Sequence, residues 1–61
     1  MQYLIHTPSD VRELENLDIS FELFPYSEDR IWPMVVQLEN EKDAKEALRY
    51  GIISKMEGNV D

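Results

Sequence analysis

The sequence predicts an α+β domain, a small antiparallel sheet of three or four strands with two helices packed on one face. Segments of strand-like and helix-like pattern follow one another in the order β-α-β-β-α, and a last short β segment is compatible with a fourth strand. The chain has 61 residues, which suits one domain. Hydrophobic residues make up 43% of it, too many for a disordered acidic chain. We therefore expect residues 1–61 to form a single domain, with residues 57–61 as a frayed tail.

The first half of the chain predicts a strand, a helix and a second strand. Residues 2–6 are short, apolar and β-prone. Thr7 suits a helix N-cap, because a proline follows it at the first helical position and an aspartate stands at the third. The helix is expected over residues 8–16. Residues 19–23 then alternate between apolar and polar side chains, which indicates a half-buried strand.

The second half predicts a hairpin partner, a second helix and a short closing element. A turn at residues 25–29 leads into the β-prone run 30–38. Asn40 suits the N-cap of the second helix, and Gly51 suits the left-handed position just after its end, followed by an isoleucine. Residues 52–56 form either a last strand or an extension of this helix.

The order of segments is compatible with a ferredoxin-like plait. Residues 36–44 resemble the passage from the third strand to the second helix of RNA-recognition-type plaits. Pro33 lacks a backbone N–H and does not fit inside the ladder of a central strand. Either pairing begins after Pro33, or the third strand lies at an edge and the domain is a three-stranded meander with two helices.

The sequence lacks the residues that catalysis and cofactor binding require. The sequence has no cysteine, which excludes a disulfide scaffold and a thiolate metal site. His6 is the single histidine and has no catalytic partner at short spacing. The two glycines stand apart, and no calcium-loop spacing is present. We expect a non-enzymatic protein without catalytic residues, metal or cofactor.

Charge and hydropathy argue against nucleic acid and membrane as partners. The formal net charge is -7, and the basic residues are scattered rather than clustered. In the alignment to RNA-recognition-type plaits, the base-stacking positions fall near Pro33 and Val35, neither of which can stack on a base. No apolar stretch approaches the roughly 20 residues of a membrane helix, and the N-terminus does not read as a signal peptide. We expect a cytoplasmic protein.

The carboxylates fall into two clusters along the chain. The first cluster comprises Asp10, Glu13, Glu15, Asp18 and Glu22, and the second comprises Glu39, Glu41, Asp43 and Glu46. Carboxylates spaced along a face can imitate the phosphates of a nucleic acid. Their ordinary role is to solvate the surface of a small domain and to lie near the positive N-termini of helices.

An apolar surplus remains on the sheet face that the helices leave uncovered. Side chains alternate between the two faces of a strand, and this alternation assigns to the second face Leu4, Phe24, Ile31 and Val35, with Tyr26 nearby. Trp32 alternates to the side of Met34 and is taken as a further aromatic anchor for binding. Apolar patches on small proteins often mark protein contacts. Alternatively, the tail or a loop covers this face and makes a second core.

These features favour a protein that binds another protein, of the inhibitor, antitoxin or regulator type, including the accessory proteins of phages. Its partner is expected to present a basic surface, towards which the acidic clusters steer it. One alternative is an acidic nucleic-acid mimic that blocks a nucleic-acid-binding protein. Another is a self-associating module, in which a homodimer covers the second sheet face.

Overall fold

The computed structural model describes residues 1–56 and has the predicted α+β class. Four antiparallel strands form one sheet in the order β2-β3-β1-β4. The elements are β1 Gln2–Ile5, α1 Pro8–Asn16, β2 Phe21–Pro25, β3 Met34–Leu38, α2 Glu41–Arg49 and β4 Ser54–Lys55. Because β3 lies between β1 and β2, the sheet is not the three-stranded meander, and its order is compatible with a ferredoxin-like plait. The frayed tail expected at 57–61 lies outside the described residues.

Pro33 determines where the central strand begins. β3 starts at Met34, so pairing begins directly after the proline. This is the first of the two arrangements that the sequence left open. The predicted strand start at residue 30 is therefore wrong, and residues 26–33 form a longer connection than the predicted turn at 25–29. The reason is that proline offers no N–H to a ladder.

The helix N-termini lie where the capping residues predict them. The Thr7 hydroxyl accepts a hydrogen bond from the backbone N–H of Asp10 at 3.2 Å. The Asn40 side-chain oxygen accepts one from the backbone N–H of Lys42 at 2.9 Å. Each bond satisfies a donor that the first turn of a helix leaves without an intrahelical partner. An acidic residue in each first turn adds a favourable interaction with the helix dipole.

Helix α2 ends in a Schellman motif around Gly51, as the sequence predicts. Gly51 has a φ of 76°, in the left-handed region that favours glycine. Its N–H donates to the carbonyl of Leu48 at 3.1 Å, and the N–H of Ile52 donates to the carbonyl of Ala47 at 3.0 Å. These two bonds define the motif. The side chain of Ile52 is buried in the core, which ties the end of the helix to the rest of the domain.

Helix α1 ends in the same motif, although no glycine marks it. Asp18 has a φ of 60°, and its N–H donates to the carbonyl of Glu15 at 3.0 Å. The N–H of Ile19 donates to the carbonyl of Leu14 at 3.2 Å. Ile19 thereby belongs to the helix stop and points into the core. For this reason β2 begins at Phe21 and not at residue 19.

The core lies between the two helices and one face of the sheet. The residues of this single cluster are Ile5, Leu14, Ile19, Val36, Leu38, Ala44, Ala47, Ile52 and Ile53. The two alanines are the fully buried residues of α2, and their small side chains allow the helix to approach the sheet closely. Among residues 1–56, no polar or charged side chain is buried, so apolar packing supplies the core.

The two left-handed positions predict opposite effects of substitution. Asp18→Gly should raise the free energy of unfolding by about 0.5–1 kcal/mol, because glycine adopts a positive φ without steric cost. Gly51→Ala should lower it by about 1 kcal/mol through backbone strain alone, because no atom lies within 4 Å of the added Cβ. Urea denaturation followed by circular dichroism measures both. A loss of stability in Asp18→Gly would show that the aspartate makes a compensating local interaction.

Candidate functional site

The sheet face opposite the helices carries an apolar row across β1, β3 and β2. Val35 is opposite Leu4 on one side and opposite Phe24 on the other, and directly paired residues share a face. These three alternate with the core residues of their strands, so they point away from the helices. We call this side of the sheet the open face. Val35 is only 8% exposed although it is not part of the core cluster, which indicates that its neighbours on the open face shield it.

Polar pairs flank this apolar row on the open face. The Gln2 side-chain amide donates to the side-chain oxygen of Gln37 at 3.1 Å, across the β1–β3 pair. His6 Nε2 lies 3.0 Å from the hydroxyl of Ser54, at the end of β1. His6 is exposed, and its hydrogen bond links the end of β1 to the neighbouring strand β4. The open face therefore carries an apolar row with a polar pair on either side of it, Gln2–Gln37 and His6–Ser54.

Among residues 1–56, three of the five exposed large hydrophobic residues lie in β2 or in the connection that follows it, whereas Tyr50, 60% exposed, lies at the end of α2. Phe24 is 43% exposed, Tyr26 is 51% exposed and Ile31 is 73% exposed. Tyr26 directly follows β2, and Ile31 lies near the end of the connection to β3. We call these three residues the edge patch. Phe24 belongs to the apolar row as well, whereas Tyr26 and Ile31 lie outside the strands, so strand pairing places only Leu4, Val35 and Phe24 of the predicted residues on the open face.

Trp32 lies on the other side of the sheet, in line with its predicted alternation. It is half-buried and packs against the core. With Leu23 and Met34 it lines a groove beneath α1. The Trp32 ring therefore does not contribute to the open face. It can act as the predicted binding anchor only for a partner that enters this groove.

The fold separates the two acidic clusters of the sequence and regroups their members. Asp10 and Glu13 line a cleft between α1 and the end of α2, beside Tyr50. Glu22 lies on the other side of the molecule, on the open face, where it lines a shallow pocket with Glu39. A residue of each sequence cluster is thus brought together with a residue of the other.

The remaining acidic residues are distributed over both helices. Glu15 is exposed on α1, and Asp18 is exposed at its end. On α2 the acidic residues Glu41, Asp43 and Glu46 are interspersed with Lys42, Lys45 and Arg49. Lys45 Nζ lies 3.8 Å from Glu41 Oε2, in an exposed ion pair. The surface of α2 is consequently mixed in sign, whereas α1 carries a single basic residue.

Two acidic residues beside the edge patch are absent from the predicted clusters. Glu28 and Asp29 are exposed in the connection between β2 and β3. The Ser27 hydroxyl accepts a hydrogen bond from the backbone N–H of Asp29 at 3.1 Å, which stabilises a local turn. The sequence pattern indicated only a polar turn here. The sequence did contain a signal for them, because Glu28 and Asp29 lie between Tyr26 and Ile31 in the chain.

Comparison with protein-family models, with curated proteins and with solved structures returned no match. Within residues 1–56, no helix is long and apolar enough to cross a membrane. The same residues contain no group of three or more histidine, cysteine, aspartate or glutamate side chains arranged to hold a metal ion. Any assignment of function therefore depends on the surfaces described above.

Two neighbouring residues test the division between surface and core. Trp32→Ala should lower the free energy of unfolding by about 2 kcal/mol, because it removes a half-buried ring that packs on the core. Ile31→Ala should change it by less than about 0.5 kcal/mol, because this side chain is 73% exposed. Thermal denaturation of the two variants in parallel measures the difference. Equal destabilisation would mean that Ile31 is packed in solution.

Proposed function

We propose that the protein is a non-enzymatic binding protein that occupies a surface of another protein, with the edge patch at the centre of the contact. The observation that supports this most is the exposure of Phe24, Tyr26 and Ile31, which lie in β2 and in the connection that follows it. Neighbouring apolar side chains in water favour association, because contact removes their surface from solvent. Aromatic residues commonly supply much of the binding energy of such contacts.

The strands give this contact a rigid base. β2 pairs with β3 along its whole length, from Phe21 opposite Leu38 to Pro25 opposite Met34. Phe24 is therefore held by the ladder, and Leu4 and Val35 extend the apolar surface towards the centre of the sheet. A side chain that is held in place before binding loses less conformational entropy when the complex forms.

The charges around the edge patch indicate the kind of surface that it would meet. Glu22 lies two positions before Phe24 on the same face of β2, and the following connection exposes Glu28 and Asp29 together with one basic residue, Arg30. With a net charge of -7 over the whole chain, these carboxylates favour a partner with basic groups around an apolar depression. An inhibitor, antitoxin or regulator, including a phage accessory protein, is the role that we propose, in a cytoplasmic setting that suits a chain without cysteine.

The competing proposal is an acidic nucleic-acid mimic. In that case the contact would be made by carboxylates such as Asp10, Glu13 and Glu15 on α1. The regrouping of the sequence clusters on different sides of the molecule favours the edge patch, because a mimic needs its charges on one face. A homodimer through the open face would instead leave no apolar surface for a partner.

Substitution of the edge patch should abolish partner capture. The double variant Tyr26→Ser/Ile31→Ser should retain at most about a tenth of the protein that the tagged wild type captures from a lysate of its own cells, since residues of this kind contribute about 2 kcal/mol or more. The control variant Glu13→Gln/Glu46→Gln also changes two exposed positions, on the helices. Quantitative mass spectrometry compares the captured proteins. Loss in the helix variant and retention in the edge variant would overturn the proposal.

The salt dependence of the captured complex separates contact through the edge patch from mimicry. Between 0.05 and 0.5 M sodium chloride, the Kd should rise by less than about tenfold if apolar contact dominates. A mimic in a phosphate-binding groove should lose about a hundredfold or more, because its binding depends on screened charges. Titration calorimetry at several salt concentrations measures this. Light scattering of the free protein must show a monomer, since a stable dimer would support self-association instead.

A further inference from the structure

Strand β2 presents the longer open edge of the sheet. β2 and β4 are the two outer strands, and β4 comprises only Ser54 and Lys55. β2 comprises Phe21–Pro25, and within residues 1–56 its ladder runs along β3 alone. The outer side of such a strand carries backbone N–H and C=O groups that can pair with a further strand. Pro25, at the last position, is the one residue of β2 that offers no N–H.

A groove lies beside this edge, on the helix side of the sheet. Val11 contributes from α1, Leu23 contributes from β2, and Trp32 and Met34 contribute from the chain that enters β3. All four side chains are half-buried and pack against the core without being enclosed by it. The groove thus offers apolar surface directly alongside a strand whose outer side is open. Strand addition to a sheet edge uses these two features together, since the ladder provides affinity and adjacent pockets select alternate side chains.

The two sides of an added strand would meet different surroundings. Its side chains on the helix side would enter the groove next to Leu23. Its intervening side chains would lie on the open face, next to Glu22 and Phe24. The rim of the groove carries Arg12 and Glu15 from α1. The exposed carboxylates near this edge are Glu15, Glu22, Glu28 and Asp29, against the two arginines Arg12 and Arg30, so basic side chains are favoured among the intervening positions.

Charge also argues against a second copy of this chain as the added strand. Each copy has a net charge of -7. Antiparallel pairing of two β2 strands would bring the two copies of α1 to the same side of the joint sheet, and α1 carries three acidic residues against one basic residue. Repulsion between these helices would oppose the pairing.

We propose that an extended segment of a partner protein adds to the sheet beside β2, with apolar side chains at every second position and lysine or arginine at some of the positions between them. The apolar side chains enter the groove lined by Val11, Leu23, Trp32 and Met34. The basic side chains face Glu22 on the open face. This proposal rests on the proposed function, because it specifies how the same side of the molecule engages its partner.

A capped nonapeptide of alternating valine and lysine tests the proposal on the full-length, isotope-labelled protein. Its binding should shift the amide resonances of residues 21–24 and of Val11, and should slow hydrogen exchange at outward-facing amides of β2. Two N-methylated versions, each methylated at one alternate set of residues, are the decisive controls. Only one set of peptide N–H groups points towards β2, so one version should lose at least about tenfold in affinity and the other should bind like the parent.

The protein variant Glu22→Lys provides a second, independent readout. This exposed position should tolerate lysine without unfolding. The variant should bind the valine–lysine peptide at least about fivefold more weakly and should bind an alternating valine–glutamate peptide more tightly than the wild type does. Glu46→Lys, on α2, is the matched control and should leave both affinities near those of the wild type.

Several outcomes would overturn strand addition. These are equal binding of the two methylated peptides, resonance shifts confined to α2 or β4, or no binding at about 1 mM peptide. If any of them occurs while the variant Tyr26→Ser/Ile31→Ser still fails to capture the partner, the proposed function stands. Only strand addition, as the mode of binding, is then wrong. If the protein alone forms a dimer with protected β2 amides, a second copy is the added strand and the commitment to a partner segment is wrong.

Discussion

The alternation of side chains along the central strand β3 is the constraint on which the rest of the structure depends. β3 pairs with β1 on one side and with β2 on the other. It sends Val36 and Leu38 into the core and Val35 to the open face. The two short helices cover only one face of the sheet. Every apolar side chain of the strands that points to the opposite face therefore stays outside the core. The apolar row from Leu4 to Phe24 is the direct result.

The helix stops convert this two-layer arrangement into a closed core. Both helices end in the same hydrogen-bonded motif, and each motif delivers an isoleucine, Ile19 or Ile52, into the cluster between helices and sheet. Local backbone geometry and long-range packing support one another here, because the residue that ends the helix also fills the core. A domain of this size buries a smaller fraction of its surface than a larger domain does, so a residue that serves both purposes adds to its stability.

The distribution of charge and apolar surface gives the molecule two chemically different sides. The helices carry six of the eleven carboxylates among residues 1–56, with those of α2 partly balanced by lysine and arginine. The β2 side combines exposed aromatic and aliphatic residues with Glu22, Glu28 and Asp29, and with Arg30 as a basic residue. Acidic groups around an apolar contact contribute to association rate and to discrimination between partners more than to affinity. This combination is the reason why we propose the β2 side, and not a helix surface, as the interface.

Local patterns in the sequence were sufficient for the helices and for the facing of the strands. The caps Thr7 and Asn40 and the stop at Gly51 placed the helices correctly, because a cap depends on a few adjacent residues. Strand limits were less predictable: β2 starts two residues late because Ile19 completes a helix stop that has aspartate, not glycine, at its left-handed position. The same local chemistry does not reveal which face of an apolar strand another element covers.

The sequence by itself determined the composition of the two strand faces, the helix ends and the acidic character of the domain. Only the tertiary structure decided that β2 is an outer strand, that Trp32 lines a groove beneath α1, and that Glu22 and Glu39 line one pocket while Asp10 and Glu13 line another. The physical reason is that periodicity and capping act over a few residues, whereas strand order and helix placement depend on pairing between residues far apart in the chain.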